Sequence, residues 1–154
     1  MNANSPAISI VIPTLGRATL IRTLDTLALV RSFAAAEVLV VGEWNDRDVA
    51  ERGQVFLARH SNVRHVPAAF PSGDSSRKKN LGWQTARADL VVFIDDDVVM
   101  APDWLDCLME PFADQETGWV SGPALVPDDI SLMARLAGTT LASVAAELTP
   151  TSST

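Results

Sequence analysis

Three consecutive aspartates, Asp95, Asp96 and Asp97, directly follow the apolar run LVVFI at residues 90–94. Adjacent carboxylates repel one another, and burying an unpaired charge is costly. Because side chains alternate between the two faces of a strand, Asp95 and Asp97 are expected to point the same way and Asp96 the other. Two carboxylates on one side suit a hard divalent cation, which also accepts water and substrate phosphate oxygens as ligands. We therefore predict that Asp95 and Asp97 bind Mn²⁺ or Mg²⁺.

Other interpretations of the three aspartates remain open at this point. A solvated acidic turn, or an acidic cluster near a helix N-terminus, would contain the same residues. An EF-hand is excluded, because the segment has no glycine at the sixth loop position and no glutamate at the twelfth. The position of the aspartates after an apolar strand favours the metal site.

Apolar runs alternate along the chain with segments of helical periodicity. The runs predict strands at residues 8–12, 37–42, 62–66, 90–94 and 118–127. The helical segments are centred on residues 20–28, 49–57, 76–88 and 102–112. This alternation predicts an α/β fold, with a mostly parallel sheet covered by helices on both faces.

The carboxyl ends of parallel strands are where α/β sheets bind their ligands. Three polar clusters of this chain lie at such ends: Pro13 with Thr14, Gly42 with Glu43, and the aspartates at residues 95–97. We therefore expect these clusters to converge on one edge of the sheet.

The C-terminal part of the chain differs from the rest. We predict one α/β domain over residues 6–126 and a helical tail over residues 127–154 with a disordered end. The apolar stripe of this tail suits packing on the domain or self-association with a second copy.

Charge and composition narrow the choice of partners. The net charge of −7 argues against a nucleic acid, because no basic face is available for the phosphates. The sequence shows no signal peptide and no apolar stretch long enough for a membrane span. Its single cysteine, Cys107, lies in the helical segment DWLDCLME and is expected to be a small buried residue. One cysteine also fits a reducing compartment, so we expect a cytoplasmic protein, either free or peripheral at a membrane.

Three segments together resemble the first half of a family 2 glycosyltransferase with the GT-A fold. They are residues 8–27, 37–48 and 77–105, and the resemblance extends over roughly residues 7–125. The last segment is the most specific, because the asparagine, glycine, alanine and D-x-D pair of the family pattern are all present. These residues are Asn80, Gly82, Ala86, Asp95 and Asp97. The resemblance implies a Rossmann-like sheet that is truncated at its C-terminal side.

The resemblance also implies a role for each matching residue. In relatives, the positions of Pro13 and Thr14 contact the nucleoside, Asp95 lies near the ribose, and Asp97 holds a metal that bridges the diphosphate. Lys79 occupies a position that is usually arginine, and with Arg77 and Lys78 it would supply positive charge near the nucleotide. The implied donor-binding residues are Pro13, Thr14, Arg17, Glu43, Lys79, Asn80, Asp95 and Asp96.

Simpler interpretations of several of these residues remain open. Thr14 could cap the turn that follows it, and the basic residues 77–79 could form a solvated helix start. His60 and His65 flank a short strand, where a structural role is favoured over a catalytic one.

The sequence departs from the family pattern in two places. Relatives carry an acidic pair after the second strand, and this chain has Gly42 and Glu43 with Trp44 next to them. No general base is identifiable, although several carboxylates follow the D-x-D pair. These carboxylates are Asp114, Glu116, Asp128, Asp129 and Glu147.

The function implied by the resemblance is sugar transfer from a UDP- or GDP-type nucleotide-diphospho-sugar to a hydroxyl of an unknown glycan, lipid or small-molecule acceptor. Polysaccharide biosynthesis is the usual context of the family. Two alternatives remain: a truncated domain that binds nucleotide-sugar and metal without transfer, and a nucleotidyltransferase. The second alternative is disfavoured, because the PTLGRAT segment after the first strand has one glycine and no phosphate-binding loop.

Overall fold

A parallel sheet of four strands forms the centre of the molecule in the computed structural model, which describes residues 6–70 and 74–123. The strands are β1 (Ile8–Pro13), β2 (Ala36–Val41), β3 (Val63–Val66) and β4 (Val91–Phe93). Their order across the sheet is β3-β2-β1-β4, and each neighbouring pair is parallel. The predicted α/β fold with a parallel sheet is confirmed.

Four α-helices connect and cover the strands. They are α1 (Thr19–Leu27), α2 (Arg47–Arg59), α3 (Ser75–Thr85) and α4 (Trp104–Met109). Two short 3₁₀ turns lie at Phe33–Ala35 and Glu110–Ala113. Helix α3 ends three residues before the predicted position, because the backbone at Ala86 is extended and the N–H of Arg87 donates to Glu37.

Both faces of the sheet are covered. Strand residues alternate between the faces, so that Ile10 and Val38 pack with α1, α2 and α4, while Val11 and Leu39 pack with Leu81 of α3. All of these strand residues are fully buried. The β-branched and largely apolar strands β1 and β2 are therefore explained by helices on two sides.

Two smaller sequence expectations are corrected by the structure. The strand predicted over residues 118–127 is absent from its described part, residues 118–123. Cys107, which the apolar context suggested would be buried, is exposed, because Leu105 faces the core and position 107 falls on the opposite side of α4.

The predicted C-terminal tail lies outside the described residues. The chain divides into two units, Met1–Gly118 and Trp119–Thr154, and every helix and strand given above belongs to the first. The predicted domain boundary at residue 126 and the predicted tail helix are both in the part that the structure does not describe. Within residues 6–70 and 74–123, no helix is both long and apolar enough to cross a membrane.

The strand order creates a switch point beside β1. The chain passes from β1 to β2 and β3 on one side, and β4 then pairs with the opposite side of β1. In open parallel sheets, the loops that leave such a pair of strands diverge, and a crevice forms outside their carboxyl ends. The segments after β1 and after β4 are therefore the ones expected to form a ligand site.

Gly82 allows α3 to approach β1 closely. A Cβ atom at this position would lie 2.3 Å from Cγ1 and 3.0 Å from Cγ2 of Val11, which is fully buried in β1. The glycine is thus required by packing, and the packing sets the distance between α3 and the carboxyl end of β1.

We predict that Gly82→Ala destabilises the fold by about 1–3 kcal/mol, since the added methyl group overpacks the contact with Val11. Urea unfolding followed by circular dichroism measures the change. Gly118→Ala is the matched control, because nothing lies within 4 Å of a Cβ at Gly118. An equal loss in both variants would contradict the packing explanation.

A buried carboxylate connects the strands at the amino edge of the sheet. The side chain of Glu37 in β2 is 0% exposed and accepts hydrogen bonds from Ser9 Oγ at 2.7 Å and from the Arg87 N–H at 2.9 Å. Its other oxygen, Oε1, accepts from Arg64 Nη2 and from Arg87 Nε, each at 2.7 Å. Glu37 therefore holds β1, β3 and the α3–β4 connection to β2.

The environment of Glu37 acts on its pKa in two directions. Burial alone would raise the pKa, but the hydrogen bonds from Ser9, Arg87 and Arg64, together with the charge of Arg64, bring the pKa below its ordinary value of 4.5. Because the pKa is lower in the folded chain, the ionised carboxylate stabilises the fold at pH values above the unfolded pKa. This stabilisation is lost as the pH falls through the lowered value.

We predict that Glu37→Gln lowers the free energy of unfolding by about 1–3 kcal/mol near neutral pH, because Arg64, Arg87 and the Ser9 hydroxyl lose the anionic partner to which they donate. The difference between variant and wild type should shrink as the pH falls below about 4.5. Urea titrations at several pH values measure both effects. Glu51→Gln is the control, since Glu51 is 64% exposed in a surface pair with Arg47 and should change stability by less than about 0.5 kcal/mol.

Candidate functional site

A cleft of about 200 Å³ opens at the carboxyl edge of the sheet, at the switch point between β1 and β4. Three segments line it: residues 13–15 with Arg17 after β1, the start of α3, and residues 95–97 after β4, which we term the acidic loop. The cleft is smaller than the roughly 300–1,000 Å³ of a typical small-molecule pocket. It can therefore enclose only part of a molecule the size of a nucleotide-sugar.

The acidic loop follows β4, which ends at Phe93, and its residues 96 and 97 lie in a turn. Asp95 and Asp97 are exposed, whereas Asp96 between them is buried. On either side, the Ile94 N–H donates to the Val11 carbonyl at 3.1 Å, and the Val98 carbonyl accepts from Thr23 Oγ1 at 2.9 Å. The loop therefore presents two carboxylates to solvent at the cleft and one to the protein interior.

Asp96 is hydrogen-bonded to the end of β1. Its Oδ2 atom accepts from Thr14 Oγ1 at 2.5 Å and from the Leu15 N–H at 3.3 Å. Thr14 Oγ1 also accepts from the Gly16 N–H at 2.9 Å, so this hydroxyl caps the turn and binds Asp96 at the same time. The turn-capping interpretation of Thr14 is thus correct, and the hydroxyl has a second partner in addition.

Lys78 reaches the same threonine from α3. The residue is 3% exposed, and its Nζ atom donates to the Thr14 carbonyl at 2.6 Å. No carboxylate of the described residues lies within ion-pair distance of this ammonium group. A buried ammonium group has three protons to donate, and Lys78 faces the cleft with one protein acceptor. The interpretation of residues 77–79 as a wholly solvated basic helix start is therefore wrong for Lys78.

The charges that line the cleft are unequal. Asp74, Asp95, Asp96 and Asp97 contribute four carboxylates, against the exposed guanidinium of Arg17 and the ammonium of Lys78. Outside the cleft, Lys79 Nζ lies 3.3 Å from Asp95 Oδ1, an exposed pair that water screens strongly. The excess of oxygen anions makes the cleft suitable for a cation rather than for a bare anion.

The acidic loop fits a hard divalent metal by its donor chemistry. Asp95 and Asp97 supply exposed, hard oxygen atoms at one opening, and Mg²⁺ or Mn²⁺ completes its coordination with water and phosphate. Among residues 6–70 and 74–123, no group of three or more histidine, cysteine or acidic side chains is arranged to enclose a metal alone. A metal at this loop would therefore need further ligands from a bound substrate.

The structure brings most of the sequence-predicted site residues together. Those that line the cleft are Pro13, Thr14, Arg17, Asp95, Asp96 and Asp97. The other three, Glu43, Lys79 and Asn80, do not line it. Asn80 is exposed on α3, and Lys79 is connected to the cleft through its pair with Asp95.

Sequence reasoning missed two residues of the cleft at the start of α3. Asp74 is the N-cap of α3 and accepts from the Arg77 N–H at 3.0 Å, with Ser75 next to it. The motif Asp-Ser-Ser before a basic helix start is a recognisable N-cap signal, which could have placed this helix end near the site.

The end of β2 lies beside the cleft but is engaged in its own contacts. Gly42 has a φ of +144°, and a Cβ there would lie 2.2 Å from the Thr14 carbonyl oxygen, so only glycine fits. Trp44 stacks on His65 with ring centroids 4.0 Å apart, and His65 Nε2 lies 2.7 Å from the Gly42 carbonyl. His65 therefore has a structural partner, in line with its predicted role. Glu43, which lies between Gly42 and Trp44 in the sequence, is half-buried.

The two candidate general bases within the described residues, Asp114 and Glu116, lie away from the cleft. Asp114 is exposed and accepts from the Glu116 N–H at 3.0 Å, and neither residue lines the cleft. Asp128, Asp129 and Glu147 lie outside the described residues.

A comparison with protein-family profiles matches residues 6–150 to the family described as "Glycosyltransferase like family 2". No curated protein sequence matches the chain significantly.

Solved structures resemble this chain at low sequence identity. PcManGT, a mannosyltransferase from Pyrobaculum calidifontis in complex with GDP-Man and Mn²⁺, matches with a TM-score of 0.61 and 22% identity, covering 73% of this chain and 34% of that one. TarS residues 1–349 from S. aureus, in complex with UDP-GlcNAc, matches with a TM-score of 0.58 and 17% identity, covering 78% of this chain and 37% of that one. The GT-A-like fold is confirmed, and the chain spans about a third of the length of these proteins.

Proposed function

Because this chain belongs to the glycosyltransferase-like family 2, we propose that it binds a nucleotide-diphospho-sugar in the cleft and transfers the sugar to an acceptor hydroxyl. The reaction would form a bond between the acceptor oxygen and the sugar C1 and release the nucleoside diphosphate. The proposal rests on the family together with the chemistry of the cleft between β1 and β4.

The observation that carries the proposal is the arrangement of charges in the cleft. Exposed carboxylates of the acidic loop face the same space as Arg17 and Lys78. A diphosphate alone would be repelled by the acidic side, whereas a diphosphate with a divalent cation matches both the carboxylates and the cations. This pairing of opposite charges suits a metal–diphosphate complex better than either component alone.

Asp95 and Asp97 are the residues that would hold the metal. Bound Mn²⁺ or Mg²⁺ would supply positive charge that stabilises the departing diphosphate. Arg17 and Lys78 would bind phosphate oxygens from the opposite side, and Lys79 would limit the repulsion at Asp95. Pro13 and Thr14 would form the floor under the nucleoside.

The donor is proposed to be of the UDP or GDP type. PcManGT was solved with GDP-Man and Mn²⁺, and TarS with UDP-GlcNAc, so both bases occur among proteins of this fold. Glu43 could accept a hydrogen bond from a base N–H, and Asn80 could supply a further polar contact at α3. The acceptor is proposed to be a hydroxyl of a glycan, a lipid or a small molecule, with the protein acting in the cytoplasm or peripherally at a membrane.

Binding without transfer is a second candidate function, and one observation favours it. Among residues 6–70 and 74–123, the carboxylates that line the cleft are Asp74 and those of the acidic loop, and these have other roles as helix cap, proposed metal ligands and buried hydrogen-bond acceptor. None of them is free to act as the general base that an inverting transfer requires. Assaying both hydrolysis of nucleotide-sugars and transfer to acceptor sugars separates the two functions, since a binding domain would show neither.

We predict that UDP or GDP raises the melting temperature of the protein in the presence of Mn²⁺ and much less in its absence. Asp97→Ala should abolish the metal-dependent part, because removing a carboxylate ligand lowers metal affinity. Thermal-shift assays with each nucleotide, with and without Mn²⁺, provide the measurement. The matched control is Asp89→Ala, an exposed aspartate before β4 at the opposite edge of the sheet. If Asp97→Ala responds like wild type, the metal assignment is wrong.

We predict that Lys78→Met weakens binding of the nucleoside diphosphate by about 10–100-fold, as expected for a lost charge-assisted hydrogen bond of about 1.5–3 kcal/mol. Affinity for the corresponding nucleoside should not change, because the lost contact is to phosphate. Thermal stability should change little, since Met removes the desolvation cost of the buried ammonium and also its hydrogen bond to the Thr14 carbonyl. Titration calorimetry with diphosphate and nucleoside measures the contrast. Equal losses for both ligands would indicate a structural role instead.

A further inference from the structure

We propose that Asp96 is a positioning residue that acts through Thr14 to hold Asp95 and Asp97 at the cleft. The family resemblance implies instead that Asp96 is one of the donor-binding residues. This inference deepens the donor-binding function proposed above and rests on it. Its basis is the set of contacts that surround the middle residue of the acidic loop.

A single oxygen atom of Asp96 carries its contacts with the protein. Oδ2 accepts from Thr14 Oγ1 at 2.5 Å and from the Leu15 N–H at 3.3 Å, and the residue is 9% exposed. Oδ1 has no hydrogen-bond partner within the described part of the chain. The contacts therefore require one acceptor oxygen at the position of Oδ2, and they do not depend on the negative charge.

Thr14 is itself held from three directions. Its N–H donates to the Val41 carbonyl of β2 at 2.9 Å, and its Oγ1 accepts from the Gly16 N–H at 2.9 Å. Its carbonyl accepts from Lys78 Nζ of α3 at 2.6 Å. Contacts from a neighbouring strand, the turn itself and a helix make Thr14 a rigid point to which Asp96 can be attached.

The acidic loop needs such an attachment between its two ends. Ile94 is fixed by the Val11 carbonyl of β1, and Val98 is fixed by Thr23 Oγ1 of α1. Between these points, the side chain of Asp96 accepts a hydrogen bond from Thr14 at the end of β1, while the side chain of Asp95 pairs with Lys79 at the surface. Metal ligands must keep their geometry to within about 0.5 Å, so the two outer carboxylates depend on the middle one for their position.

If Asp96 has this positioning role, two substitutions at position 96 should have different effects. Asp96→Asn can keep both hydrogen bonds, because an amide oxygen at the place of Oδ2 accepts from Thr14 and from Leu15. Asp96→Ala removes both. A residue that contacts metal or donor through the charge of Oδ1 would lose its function in both variants alike.

The test uses the full chain and measures the affinity for UDP and for GDP with Mn²⁺ by titration calorimetry. We expect Asp96→Ala and Thr14→Val each to weaken binding by about 10-fold, the lower range for groups that orient metal ligands. Thr14→Ser and Asp96→Asn should stay within about threefold of wild type, because they keep the hydrogen bond. The Thr14→Val/Asp96→Ala double variant should bind the nucleotide about as tightly as the weaker-binding single variant, because both substitutions remove the same hydrogen bond. Thr26→Val, which removes a hydroxyl bonded to the Thr23 carbonyl within α1, is the matched control.

A second measurement does not require a ligand. Hydrogen–deuterium exchange of residues 94–98 in the free protein should be faster in Asp96→Ala and in Thr14→Val, and unchanged in Asp96→Asn and in Thr26→Val. If wild type shows no metal-dependent nucleotide binding, the proposed function fails, and the exchange pattern still decides whether Asp96 holds the loop.

Two results would overturn the inference. One is Asp96→Asn binding as weakly as Asp96→Ala while Thr14→Val binds like wild type, which would make Asp96 a direct ligand. The other is unchanged exchange of residues 94–98 in every variant, which would show that the loop is held by its two ends alone.

Discussion

Two oppositely charged side chains are buried at the end of β1, and both are bonded to Thr14. Asp96 arrives from the β4 side and Lys78 from α3, and each would be costly to bury without a partner. Thr14 provides a hydroxyl for the anion and a carbonyl for the cation, so one residue satisfies both. The cleft depends on this arrangement, because its three lining segments meet at that residue.

The sheet joins two polar assemblies through an entirely apolar centre. At the amino edge, Glu37 gathers Ser9, Arg64 and Arg87 around a fully buried carboxylate. At the carboxyl edge, charged groups remain partly unsatisfied by the protein and open to a cleft. The first assembly satisfies its charge within the fold and contributes to stability, whereas the second leaves capacity for a ligand.

Four of the five predicted strands, their parallel sheet and the edge that carries the cleft could be predicted from sequence, because they follow from local apolar runs and their alternation with helices. Asp95 and Asp97 were recognisable for the same reason, since both follow an apolar run directly. The contacts of Thr14 were not predictable, because its partners Asp96 and Lys78 lie 82 and 64 positions away along the chain. Three adjacent basic residues look equivalent in sequence, and only the approach of α3 to β1 at Gly82 determines which of them is buried.

The burial of Lys78 has a chemical consequence. The chain contains two lysines, and they are neighbours in sequence with very different environments: Lys78 is 3% exposed, while the side chain of Lys79 is 36% exposed. An acylating reagent requires an accessible amine lone pair, so Lys79 will be labelled first and Lys78 more slowly, by reagent that enters the cleft. The ratio of the doubly to the singly labelled peptide in a mass spectrum would thus report how readily a small reagent enters the cleft.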